Sequence, residues 1–416
     1  MSTSLRSISR AQALALMAAF LGWMFDGFEM GIFPLIARPA LLQMDRASGH
    51  FDEAFVGHWM GTITALFLVG AAIGGVIFGW LGDRVGRVRA LSLSVLTYSV
   101  FSGLAYFATQ PWHLGAARFV AALGMGGEWS LGVALVMEVW PDNRRAFVAG
   151  LIGVACNSGL ALIAAFGVWF SVTQESWRWV ALLGTAPALL TVVVRLFVPE
   201  SPSWERSKSQ PTSNRLAEIF GRGLAGKTVI ACLLSSIVLV GTWASVQWLP
   251  LWADQMTGGH LPSAKAYTGV TSSLGAVLGS VAGAWLAHRA GRRWSFFLLS
   301  LCALVSCSML FRMIDAYGTA FLVLSFAAGF FSGSFYGWLP LYLPELFPTR
   351  LRATAQGLSF NAGRILAAVG AIEMGALLKE FSGSYARAGA VTSLIYGFGL
   401  VIIWLAPETS GRGLPE

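Results

Sequence analysis

Three carboxylates and two arginines interrupt runs of sequence that are otherwise apolar. Asp26 and Glu29 break the first run, Arg118 and Glu128 share another, and Arg364 stands in a late run three residues after Asn361. A charge at the centre of a membrane-spanning helix costs roughly 2.5–3.5 kcal/mol on insertion scales, so such residues are placed for a task. Asp26 and Glu29 are three residues apart and share a helix face. At about 1.5 Å per residue, Glu29 and Arg118 fall at similar depths and can pair. A buried carboxylate gains affinity for a proton, and a nearby arginine takes that affinity away. Proton loading and release is the chemistry such a set can do, with Asp26 first, Glu29 second and Glu128 third as carriers and Arg118 tuning them. The competing reading is a static brace between two helices. The five histidines all lie away from the middle of the apolar runs, so a relay rests on carboxylates.

Arg364 suits a different task. Its guanidinium stays charged and matches a carboxylate with two parallel hydrogen bonds. It reads as an anchor for an anionic substrate, the alternative being a pair with a first-half carboxylate. Asn361, Asn157 and Gln247 add hydrogen-bonding capacity. Trp243 and Tyr336, among several aromatics that include Phe25, Phe28, Trp129, Trp248 and Trp338, add surfaces for stacking.

The elements that must carry these residues are membrane helices. The chain of 416 residues is 56% hydrophobic and only 12% charged, against about 25% charged in soluble domains. A soluble core with this much apolar surface would leave too little polar surface to cover it. Spans of about 20 apolar residues are expected at 12–36, 55–79, 90–109, 113–139, 146–172 and 177–198, then at 228–252, 266–287, 295–313, 319–343, 354–378 and 386–406. The first could pass for a signal peptide, but it runs on through Asp26 and Glu29 and is expected to be retained. The domains expected are an N-terminal six-helix bundle at 1–198, a cytoplasmic linker at 199–227 with a surface helix near 213–221, and a C-terminal six-helix bundle at 228–416.

The net charge of +8 comes from basic residues gathered in alternate loops. With both termini inside, Arg84, Arg87, Arg89, Arg144, Arg145, Arg289, Arg292, Arg293, Arg350 and Arg352 all fall on the cytoplasmic side, as the positive-inside rule requires. That distribution explains the charge better than nucleic acid does. Cys156, Cys232, Cys302 and Cys307 lie within apolar runs, lack metal-ligand spacing and read as packing groups.

The halves repeat. Trp80-Leu81-Gly82-Asp83-Arg84-Val85-Gly86-Arg87 returns as Trp285-Leu286-Ala287-His288-Arg289-Ala290-Gly291-Arg292. Glu138, Pro141 and Arg145 return as Glu345, Pro348 and Arg352, and Pro199-Glu200-Ser201 as Pro407-Glu408-Thr409. Duplicated halves with a site at the midplane between them are how many secondary transporters are built.

The Gly79-x-Leu81-Gly82-Asp83-Arg84-x-Gly86-Arg87 loop resembles the loop 2–3 motif of the major facilitator superfamily, with Val88 where a basic residue is usual. The Pro-Glu-Ser and Pro-Glu-Thr motifs resemble its sugar-porter branch. Asp26-Gly27-Phe28-Glu29 and Gly124-x-Gly126-Gly127-Glu128-Trp129 are closer to its proton symporters of organic acids and other metabolites. The resemblance covers the whole chain. It implies an all-α fold of twelve transmembrane helices in two pseudo-symmetric six-helix bundles, in a plasma (inner) membrane. It also implies a cytoplasmic ion-pair gate built from Asp83, Arg84, Arg87, Glu138, Arg145, Arg289, Glu345 and Arg352.

The expected function is proton-coupled symport of a small organic anion by alternating access, performed by a monomer without a cofactor or metal. A sugar or polyol porter and a non-transporting solute sensor are the alternatives. An enzyme is disfavoured because no extramembrane segment is long enough for a catalytic domain. Direct ATP coupling has no phosphate-loop motif to support it.

Overall fold

The computed structural model describes residues 8–47, 53–170, 172–207, 215–221, 223–258 and 260–415, and among these there is no β-strand. The first half comprises α1 (Arg10–Ala47), α2 (Glu53–Val85), α3 (Arg87–Leu104), α4 (Pro111–Val139) and α5 (Arg145–Trp169). Its sixth crossing, α6, is made of Trp177–Leu182, Leu183–Thr185 and Pro187–Phe197 in succession. The second half comprises α7 (Ala225–Trp243), extended by Leu249–Met256, then α8 (Pro262–Ala290), α9 (Arg292–Met313), α10 (Thr319–Leu346) and α11 (Arg352–Glu380). Its last crossing, α12, runs through Tyr385–Thr392, Ile395–Ile402 and Ile403–Leu405.

Ten of these segments are long and apolar enough to cross a membrane unaided. α6 and α11 complete the twelve; α6 is broken by a 3-10 turn at Leu183–Thr185 just before Pro187, and α11 carries Arg352, Gln356, Asn361 and Arg364 in its first half. On the outside of the bundle the usual rule of burial is inverted. Val270, Leu274, Leu278, Val281 and Trp285 make an exposed apolar stripe along α8 at three- and four-residue spacing, which only a lipid environment tolerates at this extent.

The packing repeats along with the sequence. α2 lies on α4 as α8 lies on α10, α1 on α5 as α7 on α11, and α3 on α4 as α9 on α10. Two large contacts cross between the halves, α2 against α11 and α5 against α8. Exchanging the halves turns one into the other.

At one end of the bundle, called here the basic end, the turns between α2 and α3 and between α8 and α9 are built alike. Gly86 has φ +117° and Gly291 has φ +82°, a region that glycine enters without steric cost. The arginine after each glycine folds back on the preceding helix, Arg87 Nη1 donating to Gly82 O at 2.8 Å and Arg292 Nη1 to Ala287 O at 3.0 Å. A carboxylate receives the free N–H groups that open the next helix. Arg87 N donates to Glu200 at 2.8 Å, and Arg292 N and Arg293 N each donate to Glu408 at 3.0 Å. Orphan N–H groups at a helix start thereby find anionic acceptors.

The segment between the halves holds two short helices. Pro202–Ser207 is tied down by the Trp204 indole, which donates to Asp83 O at 3.0 Å. Arg215–Ile219, shorter than the surface helix expected at 213–221, is held by Thr228 Oγ1 on Ile219 O and by a Glu218–Arg350 ion pair. Residues 208–214 and 222 of the expected linker lie outside the described residues.

Candidate functional site

A cavity of about 180 Å³ lies between the halves. α1 lines it with Trp23, Phe33 and Pro34, α2 with Thr64 and Phe67, α4 with Arg118 and α5 with Cys156 and Asn157. From the second half come Thr242, Trp243 and Gln247 beside α7, Tyr336 on α10, and Phe360 and Arg364 on α11. The surface is mostly apolar, rich in aromatic rings, with a few convergent polar groups, the usual character of a small-molecule site.

Four rings, two from each half, make up its floor, with Trp23, Tyr336 and Phe360 on the cavity surface and Trp129 packed behind them. Trp23 approaches Tyr336 at 6.1 Å and Trp129 at 6.2 Å, and Trp129 stacks on Phe360 with centroids 3.9 Å apart and planes 16° from parallel. Arg364 stands above this floor, its guanidinium 5.6 Å from the Phe360 ring. It is 5% exposed, and its Nη1 has no hydrogen-bond partner among the described residues. A buried guanidinium nitrogen without a partner on a cavity wall is a ready hydrogen-bond donor to an anion.

The carboxylates sit behind this wall. Glu29 Oε1 accepts from the Arg118 guanidinium and from Ser102 Oγ at 2.8 Å, and Arg118 also lies over Phe33 and Phe67 at 4.9 and 4.8 Å. Asp26 is fully buried; neither of its oxygens has a hydrogen-bond partner among the described residues, and its electrostatic neighbours are Arg364 and Glu29. Glu128 is 2% exposed, packs over Gly22, and has Asp26 and Tyr98 as electrostatic neighbours. Among the described side chains, the interior thus holds Asp26, Glu29 and Glu128 against Arg118 and Arg364, one acid more than base.

The basic end is closed by a polar lattice. Glu138 Oε1 receives Arg87 Nη2 at 3.0 Å and, across the halves, Arg352 Nη1 at 2.9 Å. Asp83 pairs with Arg87 at 2.5 Å and accepts the Ala353 and Thr354 N–H groups that open α11, at 3.2 and 2.8 Å. In the second half Glu345 receives Arg292 at 2.5 Å and Thr409 Oγ1 at 2.5 Å. The first-half counterpart of that hydroxyl is Ser201, which donates to Glu138 at 2.5 Å.

Several residues singled out in the sequence stand elsewhere. Asn361 is not on the cavity wall; its Nδ2 ties the halves together by donating to Gly126 O at 3.0 Å, and it also donates to Gly357 O one turn back on its own helix at 2.8 Å. Asp26 and Glu128 lie behind the wall rather than on it. Arg145 pairs with Asp142, three residues before it, and donates Nε to Met137 O at 3.0 Å. Arg84 and Arg289 are exposed and lie over Trp80 and Trp285, at 5.2 and 5.5 Å, outside the lattice. Asn157, Gln247, Trp243, Tyr336 and Arg364 do meet at one cavity.

Sequence reasoning passed over Trp23, Phe360 and Thr242 on the wall and left Arg292, Ser201 and Thr409 out of the gate. For Arg292 the signal was present, because it is the repeat partner of Arg87. For the wall residues it was not, since an aromatic in an apolar span carries no mark of the face it will present. Cys156, read as packing, also reaches the cavity. Among the described residues no group of three His, Cys, Asp or Glu side chains is placed to hold a metal ion.

Comparison with known proteins agrees with this architecture. A Haemophilus influenzae protein named for metabolite transport is 30% identical, covering 96% of this chain and 97% of its own. A Cupriavidus pinatubonensis protein named as a 4-methylmuconolactone transporter is 32% identical over 95% of this chain and 90% of its own, and the cis,cis-muconate transport protein of Acinetobacter baylyi is 26% identical over 89% and 88%. The structure of the proton:xylose symporter XylE superposes with TM-score 0.81 over 98% of both chains at 18% identity, which speaks for the fold alone. The profile of the Major Facilitator Superfamily matches residues 13–371. Twelve helices in two related halves, a cavity between them and this match carry one conclusion: the chain is a multi-pass membrane transporter, not an enzyme, and belongs to the Major Facilitator Superfamily.

Proposed function

We propose that this transporter carries a small organic carboxylate together with a proton, by alternating access through the cavity between its halves. The observation that carries the reading is Arg364, a buried guanidinium with a free nitrogen on an aromatic wall. Several relatives are named for the transport of muconate, 4-methylmuconolactone or gentisate, which supports an organic anion.

The surplus of one acid among the described side chains supports the proton. Three ionised carboxylates against two arginines would leave a net charge in a low-dielectric interior, and holding a proton removes it. Asp26, without a hydrogen-bond partner among the described residues and with Arg364 as an electrostatic neighbour, is the first carrier. Glu29 with Arg118 is the second, and Glu128 the third. Substrate arrival at Arg364 neutralises the cation that Asp26 senses, so anion and proton bind best together.

In this reading the basic end faces the cytoplasm of a plasma (inner) membrane, with both termini and the 199–227 linker on that side. The protein works as a monomer, and the lattice around Glu138 closes the inward path. Uptake of cis,cis-muconate and gentisate into proteoliposomes under an inward proton gradient tests it, alongside thermal shift against carboxylates, sugars and amines. Arg364→Gln should raise the half-saturating carboxylate concentration by about tenfold or more, the loss of one charge-assisted pair. Stabilisation by neutral sugars that Arg364→Gln leaves intact would instead favour a sugar or polyol porter.

A further inference from the structure

Arg352, Gln356, Phe360 and Arg364 recur every four residues along α11 and share one helix face. The last two line the cavity. The first reaches across the halves to Glu138 at 2.9 Å. Gln356 lies between them, 0% exposed, and neither its amide oxygen nor its amide nitrogen has a hydrogen-bond partner among the described residues. Unsatisfied amides are rare inside proteins, because burying one without a partner is costly.

The neighbourhood has the same character. The Trp129 indole N–H on α4 and Ser235 Oγ on α7 are also buried without hydrogen-bond partners among the described residues. α4 runs antiparallel to α11 here, as the Asn361–Gly126 hydrogen bond and the Trp129–Phe360 stack show. The helix face that carries Arg364 therefore continues below the aromatic floor toward the basic end, where the Gln356 amide and the Trp129 indole N–H have no hydrogen-bond partner among the described residues.

We propose that Gln356 and Arg352 form a second anion station on the basic-end side of the Trp129–Phe360 stack, sealed here and occupied by the substrate carboxylate on its way out. The proposal rests on the carboxylate reading of the cavity. Each step of the series is four residues, about 6 Å along the helix, within reach of an arginine or glutamine arm. When the halves part at the basic end, Phe360 leaves Trp129 and Arg352 leaves Glu138. The carboxylate then passes from Arg364 to the Gln356 amide, and on to the guanidinium that the latch has just released. Arg352 thus serves twice, as latch in the closed state and as receiving cation in the open one, and no counterion is added to the interior.

Chemical access to position 356 tests this on the full-length protein. Gln356→Cys, in proteoliposomes with the basic end facing the bath, is treated with an anionic sulfonatoethyl or a cationic trimethylammonioethyl methanethiosulfonate. Modification of residue 356 is read by peptide mass spectrometry, which separates it from the native cysteines. With each rate divided by that reagent's rate with a free small thiol, the anionic reagent should react faster by about fivefold or more, the bias one nearby guanidinium confers in a wet channel. Adding Arg352→Gln should bring the ratio close to one; the ratio is the readout, because loosening the latch raises both rates. If neither reagent reaches residue 356, the station does not exist, while the assignment of Arg364 stands or falls on its own uptake assay. If both react equally with Arg352 intact, residue 356 is accessible but has no preference for anions, and the proposal is overturned.

Discussion

Arg352 of the second half donates to Glu138 of the first at 2.9 Å, while Arg87 holds the same oxygen at 3.0 Å. One buried carboxylate thus joins the α2–α3 turn, α4 and the start of α11. Removing one partner from such a buried set leaves charge uncompensated, at a cost of about 3–5 kcal/mol. Glu138→Gln should therefore shift the population toward the state open at the basic end. Spin labels placed across that end would report a longer distance; an unchanged distribution would mean that Asp83 and the α11 N-terminus hold the closure without Glu138.

The pseudo-symmetric partner of this latch is slack. Arg145, the repeat equivalent of Arg352, is engaged by Asp142, which is 64% exposed. Position 349, the repeat equivalent of Asp142, is Thr349 and offers no competing carboxylate. Exposed pairs contribute about 0–1 kcal/mol. Arg145→Ala should consequently disturb closure far less than Arg352→Ala in the same distance measurement, and Asp142→Ala should free Arg145 to approach Glu345 and tighten the closed state. Equal effects of the two arginine variants would contradict the asymmetry.

Asp26→Asn should abolish accumulation of carboxylate against its gradient, since a neutral amide cannot shed a proton, while exchange of labelled for unlabelled substrate persists. Accumulation equal to wild type would return Asp26 to the role of a static brace.

α2 and α11 cross with almost no space between their backbones. A Cβ on Gly357 would stand 2.0 Å from Gly75 O. Gly357→Ala must push the helices apart, at a cost of about 1–3 kcal/mol. Because this contact exists only between halves, the variant should open the basic end as Glu138→Gln does, seen as faster labelling of cysteines introduced there. A melting temperature and labelling rate equal to wild type would show that the helices slide freely.

Glu408 supplies a pH dependence. Partial burial pushes its carboxyl up, but the N–H groups of Arg293, Arg292 and Ser410, with the Arg292 charge, outweigh burial and hold it below the usual 4.5. A group with a depressed folded-state pKa adds stability above its unfolded value and loses it as pH falls through the folded one. Thermal stability should therefore decline below about pH 4.5, and Glu408→Gln should flatten that part of the profile. A profile unchanged by the substitution would remove Glu408 as its source.

The membrane crossings, the duplication and the interior charges were all legible in the residue order. Apolar runs, repeated turn motifs and a charge in the wrong solvent are local or periodic features, and one dimension suffices to read them. Even Arg292 was available as the image of Arg87. Which charges meet was not, because pairing depends on how helices far apart in the chain rotate against one another. Arg145 and Arg352 occupy equivalent places in the repeat, yet one turns to Asp142 nearby and the other crosses to Glu138. Asn361 and Arg364 are three residues apart, yet one ties two backbones together and the other faces a cavity. Helix rotation is settled by packing across both halves at once, with Gly75 set against Gly357 and Trp129 stacked on Phe360. Only that three-dimensional fit decides whether a buried polar group is sealed, latched or left free for a passing anion.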